Sequence, residues 1–164
     1  APQLAYRGTY GTSAVRVFSL DAASTGLNER AAKAANRTYD CVHLHPNSHA
    51  SYFPGAETVS LKLLFDTSDG PDRGRVLGAQ AVGKDGIDKR IDVIATALQA
   101  KLTVDDLAAL ELCYAPPFGS AKDPVNYAGM IAQDMLDGLV KTVQWSELPR
   151  LPADPPVVIL YVRT

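Results

Sequence analysis

"RVLGAQAVGKDGIDKRIDVIATALQA", residues 75–100, changes its period halfway along. As far as Gly83 it is a short apolar run of strand length. From Gly86 onward Ile87, Ile91, Ile94 and Leu98 recur at i, i+4, i+7 and i+11, while Asp88, Lys89, Arg90 and Asp92 are assigned to the opposite, solvated face. That pattern predicts a strand followed by an amphipathic helix of about four turns. Immediately upstream, "VSLKLLFD" (59–66) is another strand, and "TSDGPDRG" (67–74) has the Gly, Pro and Asp content of a hairpin loop.

Working outward, "YDCVHLHP" (39–46) reads as a strand halted by Pro46, and "AVRVFSL" (14–20) as one strand with a single face on a core. Between them "STGLNERAAKAANR" (24–37) supplies a turn, a cap between Thr25 and Asn28, and a short alanine-rich helix ended by Asn36. Downstream, Thr103 with Asp106 makes the capping box of a short helix. Asp123 caps a further helix that has Pro124 in its first turn and runs through "VNYAGMIAQDMLDGLV" (125–140). The tail, 141–164, offers one helical turn at "WSEL" and a strand "VVILYV" (157–162). The expected fold class is α+β: an antiparallel sheet of three to five strands packed with helices, plus a C-terminal tail.

At 164 residues one core is expected, and a net charge of -2 with a pI near 5.9 gives no electrostatic reason to bind nucleic acid or an anionic membrane. The longest apolar run, Val157 to Val162, is far short of the ~18 residues of a membrane span. The opening "APQLAYRGTYGT" has neither the basic start nor the apolar stretch of a secretory leader, so a cytoplasmic location is expected. Cys41 and Cys113 are too few for a disulfide framework and form no CxxC; both are expected to be reduced, structural and mostly buried.

Candidate chemistry clusters in two places. His43 and His45 share a strand face at i, i+2, with His49 a turn further on, a spacing able to hold Zn or Cu. No fourth ligand is near in sequence, which favours hydrogen-bonding or solvated histidines, so no metal is expected. Tyr52 and Tyr114 lie close to prolines in turn-rich segments rather than on a periodic face. A phenol braced in this way can donate its O–H to a thiolate, an oxyanion or a ligand, although packing alone would also place tyrosine there. Lys122 can pair with an anionic ligand, and Lys122 and His49 are the candidate substrate-binding residues; Asp123 is expected to cap a helix. "GKDGIDKR" lacks the GK[ST] ending of a phosphate loop and no GxGxxG is present.

"GTSAVRVFSLDAASTGLNE", "HPNSHASYFPGAE", "LKLLFD", "GAQAVGKDGIDKRIDVIATALQA" and "LELCYAPPFGSAKDPVNYAG" together resemble the C-terminal dimerisation domain of the pyridine nucleotide-disulfide oxidoreductases. The branch they are most similar to is that of coenzyme A disulfide reductases and NADH oxidases. The resemblance implies a reductase dimerisation domain over 1–143, and the tail, 144–164, resembles the truncated beginning of a rhodanese-like domain. It further implies a homodimeric parent enzyme carrying FAD and NAD(P)H on two other domains, with a single redox-active cysteine near the flavin. The acceptor would be coenzyme A disulfide, a persulfide or a related compound. None of those cofactors is expected on this chain, which alone should be inactive. Tyr52 and Tyr114 match two tyrosines that reach across the dimer to the partner's cysteine, and so become the candidate catalytic residues. The alternatives are a non-catalytic homodimeric interaction module and an NADH oxidase that reduces oxygen.

Overall fold

The computed structural model describes residues 5–6, 8–151, 158 and 160. Five strands, β1 (Ser13–Val17), β2 (Leu20–Gly26), β3 (Tyr39–Leu44), β4 (Val59–Asp66) and β5 (Val76–Gly83), form one antiparallel sheet in the order β1-β2-β5-β4-β3. The helices are α1 (Glu29–Ala34), α2 (Ile87–Ala100), α3 (Val104–Ala109) and α4 (Pro124–Leu136), followed by a 3-10 turn at Trp145–Arg150. The architecture is the α+β one expected from the sequence.

Alternation along the central strands decides which face is covered. Leu61, Leu63 and Phe65 of β4 and Ala79 and Ala81 of β5 point to one side, where Ile87, Ile91, Ile94 and Leu98 of α2 meet them, with Val104, Leu107, Val125 and Ala128 of α3 and α4. The other side carries α1, whose buried Ala32 packs with Cys41, Leu64 and Leu77. Burying a Leu, Ile or Phe side chain is worth about 1.5–3 kcal/mol, so the α2 side is the main source of cohesion.

Two expectations at the N-terminal end are corrected. Ala14–Leu20 is not one strand: the chain reverses at Phe18 and Ser19, and Phe18 adopts φ 53° to make the turn. The register pairs Val15 with Ala22 and Arg16 with Asp21, and Arg16 forms a two-pronged ion pair with Asp21 at 2.5 and 2.6 Å. Every residue of β1 is exposed, so the alternation there reflects pairing with β2 rather than a core face. Ser24, Thr25 and Gly26, expected as a turn, complete β2 because β5 is available to pair with them, Ser24 opposite Gln80 and Thr25 opposite Ala79. Pairing with a neighbour strand outweighs local turn preference. The helix cap is Asn28, whose side chain accepts from the Ala31 N–H at 2.9 Å.

After β2 the chain crosses Gly78 so closely that a Cβ there would overlap the backbone of Leu27. Leu27 N–H donates to Leu77 O across the same crossing at 2.9 Å. Gly78→Ala should therefore lower the unfolding free energy by about 1–3 kcal/mol, read from urea denaturation; an unchanged midpoint would contradict this packing.

The cap of α3 is reciprocal, as expected. Thr103 Oγ1 accepts from Asp106 N–H at 3.3 Å and Asp106 Oδ2 accepts from Thr103 N–H at 2.8 Å. Bonds from the Thr103 backbone, then from its hydroxyl, hold the Asp106 carboxyl below its usual range. This contribution to stability is present above the unfolded value of about 3.9 and is lost as pH falls through the lower folded value. Asp106→Asn should flatten that part of the acid limb of the melting temperature. The strand expected over 157–162, within the expected rhodanese-like opening, lies largely outside the described residues; Val158 and Leu160 are exposed.

Candidate active site

Two connections, 45–58 between β3 and β4 and 110–123 between α3 and α4, come together beside the first turn of α2. The first begins with Val59 N–H donating to Pro46 O at 2.8 Å and a bridge between Asn47 and Thr58. It is closed by Ser48 N–H to Glu57 O at 2.7 Å, and at its tip Phe53 N–H donates to Ala50 O at 2.9 Å, with Tyr52 inside that turn. The second folds on itself where Phe118 N–H and Gly119 N–H both donate to Ala115 O, at 2.8 and 3.1 Å. Pro116 and Pro117 sit in this turn; their fixed φ lowers the entropy lost on ordering it. Ala50 N–H donates to Gly119 O at 2.9 Å and joins the two loops directly.

Tyr52 and Tyr114, 62 residues apart in sequence, are brought together by this arrangement: their hydroxyl oxygens lie 3.3 Å apart in a hydrogen bond. Both rings are at the surface, 75% and 49% exposed, and Phe53 and Phe118 on the same two loops are exposed as well. Among the described residues the two hydroxyls bond only to each other. The bond to Tyr52, then the slight loss of water, then the charge Tyr52 carries when ionised raise Tyr114 above its ordinary value of 10.0. Tyr114 is thus an exposed phenol that carries its proton at neutral pH, and either hydroxyl of the pair can be the donor in the bond between them.

Beneath the loops lies a buried ion pair that the sequence reading did not find. Arg90, placed on the solvated face of α2 by the charge pattern, is instead 1% exposed. Its Nε is 3.2 Å and one Nη 3.0 Å from Asp123 Oδ2, its other Nη donates to Gly86 O at 2.9 Å, and a further N–H reaches Ser48 O. Asp123 caps α4 as expected, accepting from Val125 N–H at 3.1 Å, while Asn126 Oδ1 accepts from Asp123 N–H at 3.0 Å. Asn126 Nδ2 then donates to Leu107 O and Leu110 O, both at 3.0 Å, tying α4 to the end of α3. The misplacement of Arg90 has a geometric cause. Residue 90 is three after Ile87 and four before Ile94, which puts it at the edge of the apolar stripe rather than opposite it.

The remaining candidates are dispersed. His49 is buried, its Nδ1–H donating to Ala50 O at 3.2 Å and its ring edge-on to Phe53 at 5.8 Å. His43 and His45 are exposed on β3 and just after it, and His45 Nδ1 lies 3.1 Å from Ser60 Oγ. Among the described residues no three His, Cys, Asp or Glu side chains are arranged to hold a metal ion. Lys122 is exposed and borders an open cleft of about 260 Å³ with Glu111, Ser120 and Asn126. Cys41 is buried and its thiol is pushed up by that burial. Cys113, expected to be buried, is exposed, because it follows α3 in an irregular stretch that leads out to Tyr114.

The described residues offer no cradle for a dinucleotide. The sheet is antiparallel throughout, and the space at the glycine-flanked start of α2 is filled by the Arg90 guanidinium, against which a Cβ at Gly86 would collide. No helix among them is long and apolar enough to cross a membrane.

The profile of the pyridine nucleotide-disulphide oxidoreductase dimerisation domain matches residues 12–124. The coenzyme A disulfide reductase of Staphylococcus haemolyticus (strain JCSC1435) is 39% identical over 130 residues, which are 79% of this chain and 28% of that protein. Reduced CoADR-RHD of Bacillus anthracis is 53% identical with a TM-score of 0.84, over 89% of this chain and 26% of that one. The NAD-dependent persulfide reductase from A. fulgidus is 39% identical with a TM-score of 0.81, over 87% and 26% of the two chains. The chain therefore spans under a third of the length of the relatives it matches. By its matched profile, its identity to these relatives and its fold, this chain belongs to the pyridine nucleotide-disulphide oxidoreductase dimerisation domain family.

Proposed function

We propose that this chain is the dimerising, active-site-completing part of an FAD-dependent NAD(P)H oxidoreductase that reduces coenzyme A disulfide, a persulfide or a related sulfur acceptor. The observation that carries the reading is the exposed phenol pair, two hydroxyls 3.3 Å apart on loops that the described residues leave uncovered. The cofactors would supply the two electrons from domains beyond this chain, since the residues here do not fit a dinucleotide. The work left to this chain is proton management at sulfur. Reduction of an S–S bond releases a thiolate, and the Tyr114 hydroxyl, positioned by its bond to Tyr52, would donate to that sulfur. As the resemblance implies, each subunit of a twofold dimer would lend its phenols to the partner's sulfur centre, and symmetry would make the two sites equivalent. The tail would lead into a rhodanese-like module, and exposed Lys122 would meet an anionic part of the substrate, whereas His49, expected beside it, is buried against Phe53.

The full-length protein tests this reading. Purified, it should retain flavin and oxidise NADH or NADPH when given coenzyme A disulfide or a low-molecular-weight persulfide. Turnover with oxygen alone would move the function to the oxidase branch. Absence of both flavin and turnover would leave only an interaction module.

A further inference from the structure

The phenol pair depends on two loops distant in sequence holding one relative position, and one side chain reaches both. Arg90 projects from the first turn of α2, the longest helix of the fold, and donates to Ser48 O, four residues before Tyr52, and to the carboxylate of Asp123, nine residues after Tyr114. Capping α4 would need only Asp123. Filling the core would need no charge at all, because a buried ion pair is seldom more stabilising than apolar side chains of similar volume. What the planar fork adds is a fixed angle between two partners. Lys89, the neighbouring residue, holds the second loop from the outside by donating to Phe118 O at 2.7 Å.

We propose that Arg90 is a positioning residue for the phenol pair: its guanidinium, wedged between the Ser48 carbonyl and the Asp123 carboxylate, sets the two loops so that the Tyr52 and Tyr114 hydroxyls meet. This inference rests on the reading that the pair serves the reaction. At 3.3 Å the hydroxyl contact is already long for an O–H···O bond, so a small further displacement of either loop breaks it. A lysine ammonium at position 90 keeps the charge but cannot address both partners in the fork's geometry.

The test uses the 164-residue chain carrying ¹³Cζ-labelled tyrosine, followed by NMR titration. In the unsubstituted chain the Tyr114 signal should titrate above the ordinary tyrosine value. In Arg90→Lys, which keeps the charge, it should return to that value while the amide spectrum stays native; Asp123→Asn, which keeps an oxygen to cap α4 but leaves the guanidinium without its counter-charge, should do the same with a lowered unfolding free energy. A folded variant in which Tyr114 still titrates high would overturn the proposal. So would failure of both variants to fold, since Arg90 would then support the whole domain rather than the loops. In the full-length enzyme Arg90→Lys should lower kcat by about the same factor as Tyr114→Phe, with KM little changed. If the phenols separate in Arg90→Lys yet turnover is unaffected in both variants, the positioning role stands and the catalytic reading of the tyrosines falls.

Discussion

Tyr114→Phe in the full-length protein should lower kcat with a sulfur acceptor by on the order of 10²-fold, the lower end of what a positioned acid contributes. Flavin content and folding should be unaffected. The substitution removes one oxygen from a ring that is half exposed and makes no other described hydrogen bond, so the domain loses little stability. It does lose one hydroxyl of the exposed pair. Tyr52→Phe should act in the same direction with a smaller effect, because it removes the hydroxyl that positions Tyr114 rather than the donor itself. The pH dependence adds a check. A phenol whose value is raised above 10.0 stays protonated up to about pH 9, so Tyr114 should contribute no alkaline limb to kcat below that pH. A Tyr114→Phe enzyme with unchanged turnover would remove this residue from the chemistry.

The largest stability effect is expected at Arg90. Arg90→Met should reduce the unfolding free energy by about 3–5 kcal/mol, because it leaves the Asp123 carboxylate buried without its counter-charge. Asp123 is itself 7% exposed and caps α4, so its destabilisation passes to the helix start and to Asn126, which holds the end of α3. The Ser48 carbonyl would lose its donor as well. Pairing Arg90→Met with Asp123→Leu should recover part of the loss, since no buried charge then remains, although the cap of α4 would still be missing. Urea denaturation of the three variants measures this. Additive losses in the double variant would mean that the two side chains do not act as a pair.

Much of this arrangement could be read from the chain. Strands β3, β4 and β5 carry side-chain patterns set by a covered face, and α2 carries its stripe; both depend on the covering layer, which the sequence encodes as periodicity. Caps are local chemistry, so Thr103 with Asp106 and Asp123 with Pro124 were legible from spacing of a few residues. The β1–β2 hairpin was not, because its register depends on β5, more than fifty residues away, and its turn uses Phe18 rather than glycine or asparagine. Arg90 escaped for a different reason. Charge is a good indicator of a solvated face except where a counter-charge arrives from elsewhere, and Asp123 lies 33 residues downstream. The meeting of Tyr52 with Tyr114 is likewise tertiary, since proline neighbours pointed to rigid loops without indicating that the two would touch.

The most direct test is complementation within the dimer. A full-length Tyr52→Phe/Tyr114→Phe variant is co-expressed with a second full-length variant lacking the sulfur nucleophile proposed for the rest of the enzyme, and mixed dimers are isolated by two affinity tags. If the phenols of one subunit act on the sulfur of the other, each mixed dimer contains one intact site and should regain up to about half of the unsubstituted turnover. If phenols and nucleophile belong to the same subunit's site, both sites of the mixed dimer are damaged. Turnover no higher than that of the two parent variants would then contradict the account.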